Sequence, residues 1–143
     1  MLKFLRRLLG RPQAADGEDA GLWGEEQAAE FLKRRGFRIL GRRVRVDRRD
    51  EIDIIARDGS IAVFVEVKTR RTERFGRPAS AIGPGKRRSL SRAAVRYLKK
   101  AGWPSAVIRF DVVEVIGRPG GGAPEIRHIE NAFLLDRRYE PPC

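Results

Sequence analysis

Residues 61–69 read Ile-Ala-Val-Phe-Val-Glu-Val-Lys-Thr, a run dense in β-branched and aromatic side chains that ends in two opposite charges. Such a run forms a strand, and strand side chains alternate between faces. Val63, Val65 and Val67 therefore share one face, and Phe64, Glu66 and Lys68 share the other. A run this apolar on both faces belongs in the middle of a sheet. The charges at its end then need partners, a metal ion or an opening to water, because an unpaired charge is costly to bury.

Working outward, Arg57-Asp-Gly-Ser60 carries an Asp-Gly turn signal, so Ile52-Asp-Ile-Ile-Ala56 is the antiparallel neighbour of this strand. On that neighbour Glu51 and Asp53 are expected on one face, with Ile52 and Ile54 on the other. Asp53 and Glu66 can then converge. Two close carboxylates, with backbone carbonyls and water, make an oxygen site suited to Mg²⁺ or Mn²⁺. An ammonium at Lys68 can orient or activate an attacking water, or neutralise charge on a phosphoryl transition state. The competing reading is a cross-strand ion pair of Lys68 with Asp53 or Glu51, a common arrangement that contributes ~0–1 kcal/mol when exposed. One detail leans against it. Of 31 basic residues 25 are arginines, yet a lysine, whose pKa is tunable, stands beside Glu66.

Upstream, a helical pattern starts at Glu25, with Ala28, Ala29, Phe31 and Leu32 apolar. It ends in Lys33-Arg-Arg35 and a stop at Gly36. Gly10 to Gly24, which includes Pro12, reads as a linker, and Phe37–Val46 as a first strand. Downstream, Thr72–Gly85 reads as a loop. Lys86–Ala101 is a second helix with Leu90, Ala94 and Leu98 along one face, closed by Gly102 and Pro104. Val107–Ile116 and Glu125–Phe133 are two further strands joined by Pro119-Gly-Gly-Gly122. The order of helix, three strands, helix and two strands predicts an α/β fold with a mixed central sheet of about five strands flanked by helices. Residues 24–136 form the expected domain, 1–23 a flexible basic extension and linker, and 137–143 a flexible tail. Phe110 and Val112 are expected in the core and Asp111 beside an arginine, while His128 falls on an edge strand with no special role.

The net charge of +12 favours polyanions, nucleic acid first, and a hydrophobic fraction of 41% supports a globular rather than a disordered chain. Cys143 is the only cysteine and His128 the only histidine. No intrachain disulfide or zinc-type ligand set can therefore be assembled, nor any Ser-His or Cys-His arrangement that needs a buried histidine other than His128, and a reducing, cytoplasmic setting is expected. No apolar run approaches the ~20 residues of a membrane span. The opening Met1–Leu9 is broken by Arg6 and Arg7 and reads as a frayed extension rather than a leader.

The array of Asp53 followed by Glu66-Val-Lys68 resembles the D…ExK signature of the restriction-endonuclease-like superfamily, which includes archaeal Holliday-junction resolvases. More closely, the chain is similar to the YraN-type family of small bacterial proteins. The matching segments are Gly24-Glu-Glu-Gln-Ala-Ala-Glu-Phe-Leu32, Glu51-Ile-Asp-Ile-Ile-Ala56, Val63-Phe-Val-Glu-Val-Lys68, Phe75-Gly76, Lys86 and Arg109-Phe-Asp-Val-Val113. This resemblance implies a restriction-endonuclease-like fold, with metal ligation by Asp53 and Glu66 and a water-positioning role for Lys68. It also implies that Glu25 reaches the metal site from the first helix, where the alternative is an acid that merely complements the helix dipole. Glu51 would be an additional acid behind the ligands. One departure is Asp50, which stands where the family usually has glycine. If that position needs φ > 0 the aspartate is strained, and its charge could repel phosphate.

Arg70, Arg71, Arg74 and Arg77 follow the candidate site, and Lys86, Arg87 and Arg88 open the second helix. All seven are candidate contacts to a phosphate backbone. Phe75 and Trp103 fit packing better than stacking on bases. The leading expectation is a metal-dependent endonuclease acting on structured or branched DNA, and resolvase-like symmetry would make it a homodimer. The alternative is a non-catalytic DNA- or RNA-binding module that keeps the nuclease fold. Further rivals are an RNA- or ribosome-associated basic protein and a structural partner in a DNA-processing complex.

Overall fold

A computed structural model describes residues 13–72, 82–103 and 106–140. Its elements run α1 (Gln13–Arg34), β1 (Arg38–Arg45), β2 (Glu51–Asp58), β3 (Ile61–Arg70), α2 (Pro84–Lys100), β4 (Val107–Ile116), β5 (Glu125–Phe133) and a 3₁₀ turn (Arg137–Tyr139). The strands form one five-stranded sheet in the order β1-β2-β3-β4-β5. All neighbours are antiparallel except β3 and β4, which run parallel and are joined through α2. This is the mixed α/β architecture expected from the element order, and it is consistent with a restriction-endonuclease-like fold.

The alternation read from residues 61–69 places the two helices on opposite faces. Ala62 and Phe64 pack with Phe110, Val112 and the α2 side chains Leu90, Ala93, Ala94 and Leu98. Val63 and Val65 pack with Val113, Val115 and the α1 side chains Ala28, Ala29 and Leu32. Burial of such side chains contributes about 1.5–3 kcal/mol each, so the two apolar layers are the main source of stability. The hairpin between β2 and β3 closes Asp58 against Ile61, and Gly59 takes φ +59° in the turn. Gly36 ends α1 at φ +91°, where the N–H of Phe37 donates to the carbonyl of Leu32.

Two expectations need correcting. The segment read as a linker is helical from Gln13, so α1 continues well upstream of Glu25. Gly24 is the reason the pattern misled. A Cβ there would lie 1.9 Å from Thr69 Oγ1, so this glycine permits a close crossing of α1 over β3 rather than breaking a helix. Residues 137–139, expected in a flexible tail, form the 3₁₀ turn, whose Asp136 cap bonds the Arg138 N–H and whose start is tied to Ser91 of α2. Met1–Leu9, Arg74, Phe75, Gly76, Arg77, Pro104 and Cys143 lie outside the described residues.

The turn between β1 and β2 is pinned by α2. Arg92 donates through two nitrogens to the buried carboxylate of Asp50, both at 2.8 Å. Arg96 pairs with Asp47, and the Lys100 ammonium donates to the carbonyl of Val46. The expected penalties of Asp50 therefore do not arise. Its φ is not positive, and Arg92 satisfies its charge and holds its carboxyl below the ordinary range despite burial.

Candidate acidic site at the splayed end of β2 and β3

The paired ladder of β2 and β3 runs from Asp58↔Ile61 to Ile54↔Val65 and then stops. At the next position the Asp53 carboxylate takes the N–H of Val67, at 2.9 Å. A side chain thus replaces the backbone bond and wedges the strands apart. The regular alternation of β2 breaks at the same point. Ile52 packs on the α2 side with Ile55, whereas Ile54 packs on the α1 side with Ala56. Ile52 and Ile54, expected on one face, therefore pack on opposite sides of the sheet, while Glu51 stays near enough to Asp53 for its charge to raise that carboxyl. Asp53 lines a cavity of about 760 Å³ on the α1 side together with Glu25 and Glu66, while Glu51 lines a different one.

Glu66 is the unusual member. Its side chain is 15% exposed, and among the described residues its Oε2 is the only buried side-chain polar atom without a hydrogen-bond partner. The nearest cation is the Lys86 ammonium, 3.6 Å from that oxygen, which is too long for an ordinary hydrogen bond. Burial, and then the neighbouring charge of Asp53, push the Glu66 carboxyl up to about 7. Asp53 is also raised, by burial first, with the Val67 N–H working against it and the charge of Glu25 with it. Carboxylates held together in this way attract a cation.

Glu25 lines the same cavity, and its carboxylate accepts from Arg43 Nε at 2.6 Å. Lys68 has no ion-pair partner among the described residues. It acts on Glu66 through its field, more weakly than Lys86 does. The cross-strand pair of Lys68 with Asp53 or Glu51 is therefore absent, since Asp53 bonds the Val67 N–H and Glu51 faces Arg45 at 3.6 Å. Among the described residues no group of three His, Cys, Asp or Glu side chains is arranged to hold a metal. A cation here would rest on Asp53 and Glu66 and complete its shell with water or a substrate oxygen, a balance that suits Mg²⁺. The orphaned Glu66 oxygen fits that role.

The cationic surroundings differ from the sequence reading in detail. Arg71 lines the acidic cavity, joined by Arg118 from the turn after β4, which sequence spacing did not single out. A bond from the Gly117 N–H to the Arg70 carbonyl, at 2.8 Å, brings that turn beside the end of β3. Arg70 faces Glu114 at 3.5 Å, and Arg87 donates to the Ile82 carbonyl and covers the Phe133 ring, so both are engaged in the fold. Trp103 packs against the core and under the Arg57 guanidinium, as expected.

A second titratable cluster is structural. Asp111 is fully buried and accepts from Arg109, from His128 and from the Asn131 N–H. Burial alone would raise its carboxyl, but these bonds outweigh it and hold the group below the ordinary range. Arg35 donates toward His128 Nδ1, so Nε2 carries the proton given to Asp111, and the ring packs edge-on to Phe31 and Phe37. The histidine read as unremarkable thus ties β5 to β4 and α1.

Fold and site define a basic α/β protein in which a half-buried acidic pair sits where two strands of a mixed sheet part. Residues 24–115 match the model of the family described as "Uncharacterised protein family UPF0102". The UPF0102 protein of Symbiobacterium thermophilum is 51% identical over 110 residues, covering 77% of this chain and 92% of the relative. That of Geobacter sulfurreducens is 47% identical over 116 residues, covering 80% and 88%. That of Geotalea daltonii is 46% identical over 120 residues, covering 84% and 93%. The chain belongs to the UPF0102 family. No helix among the described residues is long and apolar enough to cross a membrane.

Proposed function

We propose that this protein is a divalent-cation-dependent phosphodiesterase that cleaves nucleic acid, with DNA of structured or branched form as its substrate. The observation that carries this reading is the half-buried Asp53–Glu66 pair with a buried, orphaned Glu66 oxygen, in a cavity that also presents Arg71 and Arg118. Asp53 and Glu66 would hold Mg²⁺ or Mn²⁺, which would polarise the scissile phosphate and lower the pKa of a bound water. Arg71 and Arg118 hold the phosphate backbone at the cavity. Lys86 balances the acidic pair when no cation is bound, and Lys68 supplies positive charge on the same strand face as Glu66. The net charge of +12 draws the polyanion to this surface.

The test is incubation of labelled four-way-junction, flap, single-stranded and duplex DNA with Mg²⁺ or Mn²⁺. Wild type is compared with Asp53→Asn, Lys68→Ala and Lys86→Ala. Cleavage that needs the cation and is lost in Asp53→Asn supports the reading. Salt-sensitive binding without cleavage, unchanged in Asp53→Asn, supports instead a binding module that retains the fold. The 3.6 Å approach of Lys86 to Glu66 favours that second reading, because it partly neutralises the acidic pair without a metal.

A further inference from the structure

Glu51 and Asp53 stand two residues apart on β2 yet open into separate cavities. Asp53 faces the acidic one, and Glu51 faces a second cavity of about 480 Å³ between the turn after β1, the start of α2 and the 3₁₀ turn. Lys86 is the partition between them. It lines the second cavity, while its ammonium lies 3.6 Å from Glu66, which lines the first. The two cavities are therefore neighbours across a single ion pair.

The second cavity is cationic. Of its two acids, Asp50 is committed to Arg92 through two 2.8 Å bonds, and Glu51 faces Arg45 at 3.6 Å. Its remaining charges include Arg88 and Arg138, both exposed. Arg88 has no ion-pair partner among the described residues, and the nearest carboxylate to Arg138 is Asp136, at 3.9 Å. No side chain caps the start of α2, and its first turn carries no acid, so among the described residues the only carboxylates on this cavity are Asp50 and Glu51, each facing an arginine. Guanidinium groups from two elements, with an ammonium between them and the acidic pair, recognise a phosphate.

We propose that this cavity is a second phosphate subsite, held by Arg88 and Arg138, for the same nucleic-acid strand whose scissile phosphate meets Asp53 and Glu66. The proposal rests on the nucleic-acid reading above and sharpens it. The strand then continues past the cleaved bond toward α2, so a substrate must supply at least one further phosphate on that side.

The experiment measures binding of a fluorescein-labelled oligonucleotide by anisotropy over a salt series, with wild type, Arg88→Ala/Arg138→Ala and Arg71→Ala/Arg118→Ala. In parallel, inorganic phosphate is titrated into ¹⁵N-labelled wild type, following the arginine Nε–H signals. Loss of two phosphate contacts should flatten the slope of log affinity against log salt by about 1.5 and weaken binding roughly tenfold or more. Phosphate should shift the Arg88 and Arg138 signals, and the melting temperature of the double variant should stay at the wild-type value, since both side chains are exposed. An Arg88→Ala/Arg138→Ala protein with wild-type affinity and slope would overturn the subsite. If Arg71→Ala/Arg118→Ala then weakens binding, the nucleic-acid reading survives without it. Phosphate shifts with unchanged oligonucleotide binding would also overturn the shared strand. Absence of any oligonucleotide binding by wild type would overturn both proposals.

Discussion

Replacing Glu66 by glutamine should stabilise the metal-free protein at alkaline pH. The carboxyl ionises near 4.5 in an unfolded chain and near 7 in the folded protein, because burial and the Asp53 charge disfavour its anion. Below about pH 4 both states hold the proton and the site costs nothing. As pH rises through the window, the unfolded chain loses its proton while the folded one keeps it, so stability falls, and the loss is complete above about 7. At about 1.36 kcal/mol per pH unit, the interval corresponds to about 3 kcal/mol. Glutamine keeps the shape without the charge, so the variant should exceed wild type by up to about 3 kcal/mol at pH 8 and by little at pH 4.5. For a chain of this size that amounts to a difference in melting temperature of roughly 10 °C. Urea unfolding followed by tryptophan fluorescence, at both pH values and with chelator present, measures it. A glutamine variant less stable than wild type at pH 8, or a difference independent of pH, would refute the assignment of Glu66 as an acid whose charge the fold disfavours.

Gly24→Ala should destabilise by about 1–3 kcal/mol through collision with Thr69, and Thr69→Ala should relieve part of that loss; a double-mutant cycle in urea would show a coupling of opposite sign. Asp50→Ala should cost about 1–3 kcal/mol by leaving Arg92 without its carboxylate. Because the Asp50 carboxyl is held low, its contribution is present above its unfolded value near 4 and fades as pH falls through the folded value. The Asp50→Ala loss should therefore shrink in acid, as read by thermal melts at pH 7 and 3. Lys86→Ala removes the cation nearest Glu66, so it should lower stability at pH 8 in wild type and change little in a Glu66→Gln background, measured by the same unfolding curves.

Where apolar pattern alone decides an element, the reading of the sequence and the structure coincide. Val107–Ile116 and Glu125–Phe133 have the expected bounds, and Val63, Val65 and Phe64 take the expected faces. The misses arise where tertiary contact decides. Gly24 looks like a break because its reason, the Thr69 side chain, lies 45 positions away along the chain. Ile52 and Ile54 part onto opposite faces where the Val67 N–H draws Asp53 between the strands, and strict alternation cannot foresee that. Spacing points to Lys68 as the amine for Glu66, whereas the packing of α2 brings Lys86 closer. Arg118 sits in a glycine-rich turn with no local signal, and reaches the site only through the bond from Gly117 to Arg70. His128, an isolated histidine in sequence, acquires its role from Asp111 and Arg35.

Asp53 and Glu66 are proposed to hold a divalent cation together. Calorimetric titration of Mn²⁺ into the metal-free protein at pH 8 tests it most directly, with Asp53→Asn and Glu66→Gln alongside. One ion bound per wild-type chain, and none by either variant, is the expected result. A wild type that binds no ion, or an Asp53→Asn variant that binds as well as wild type, would contradict the claim.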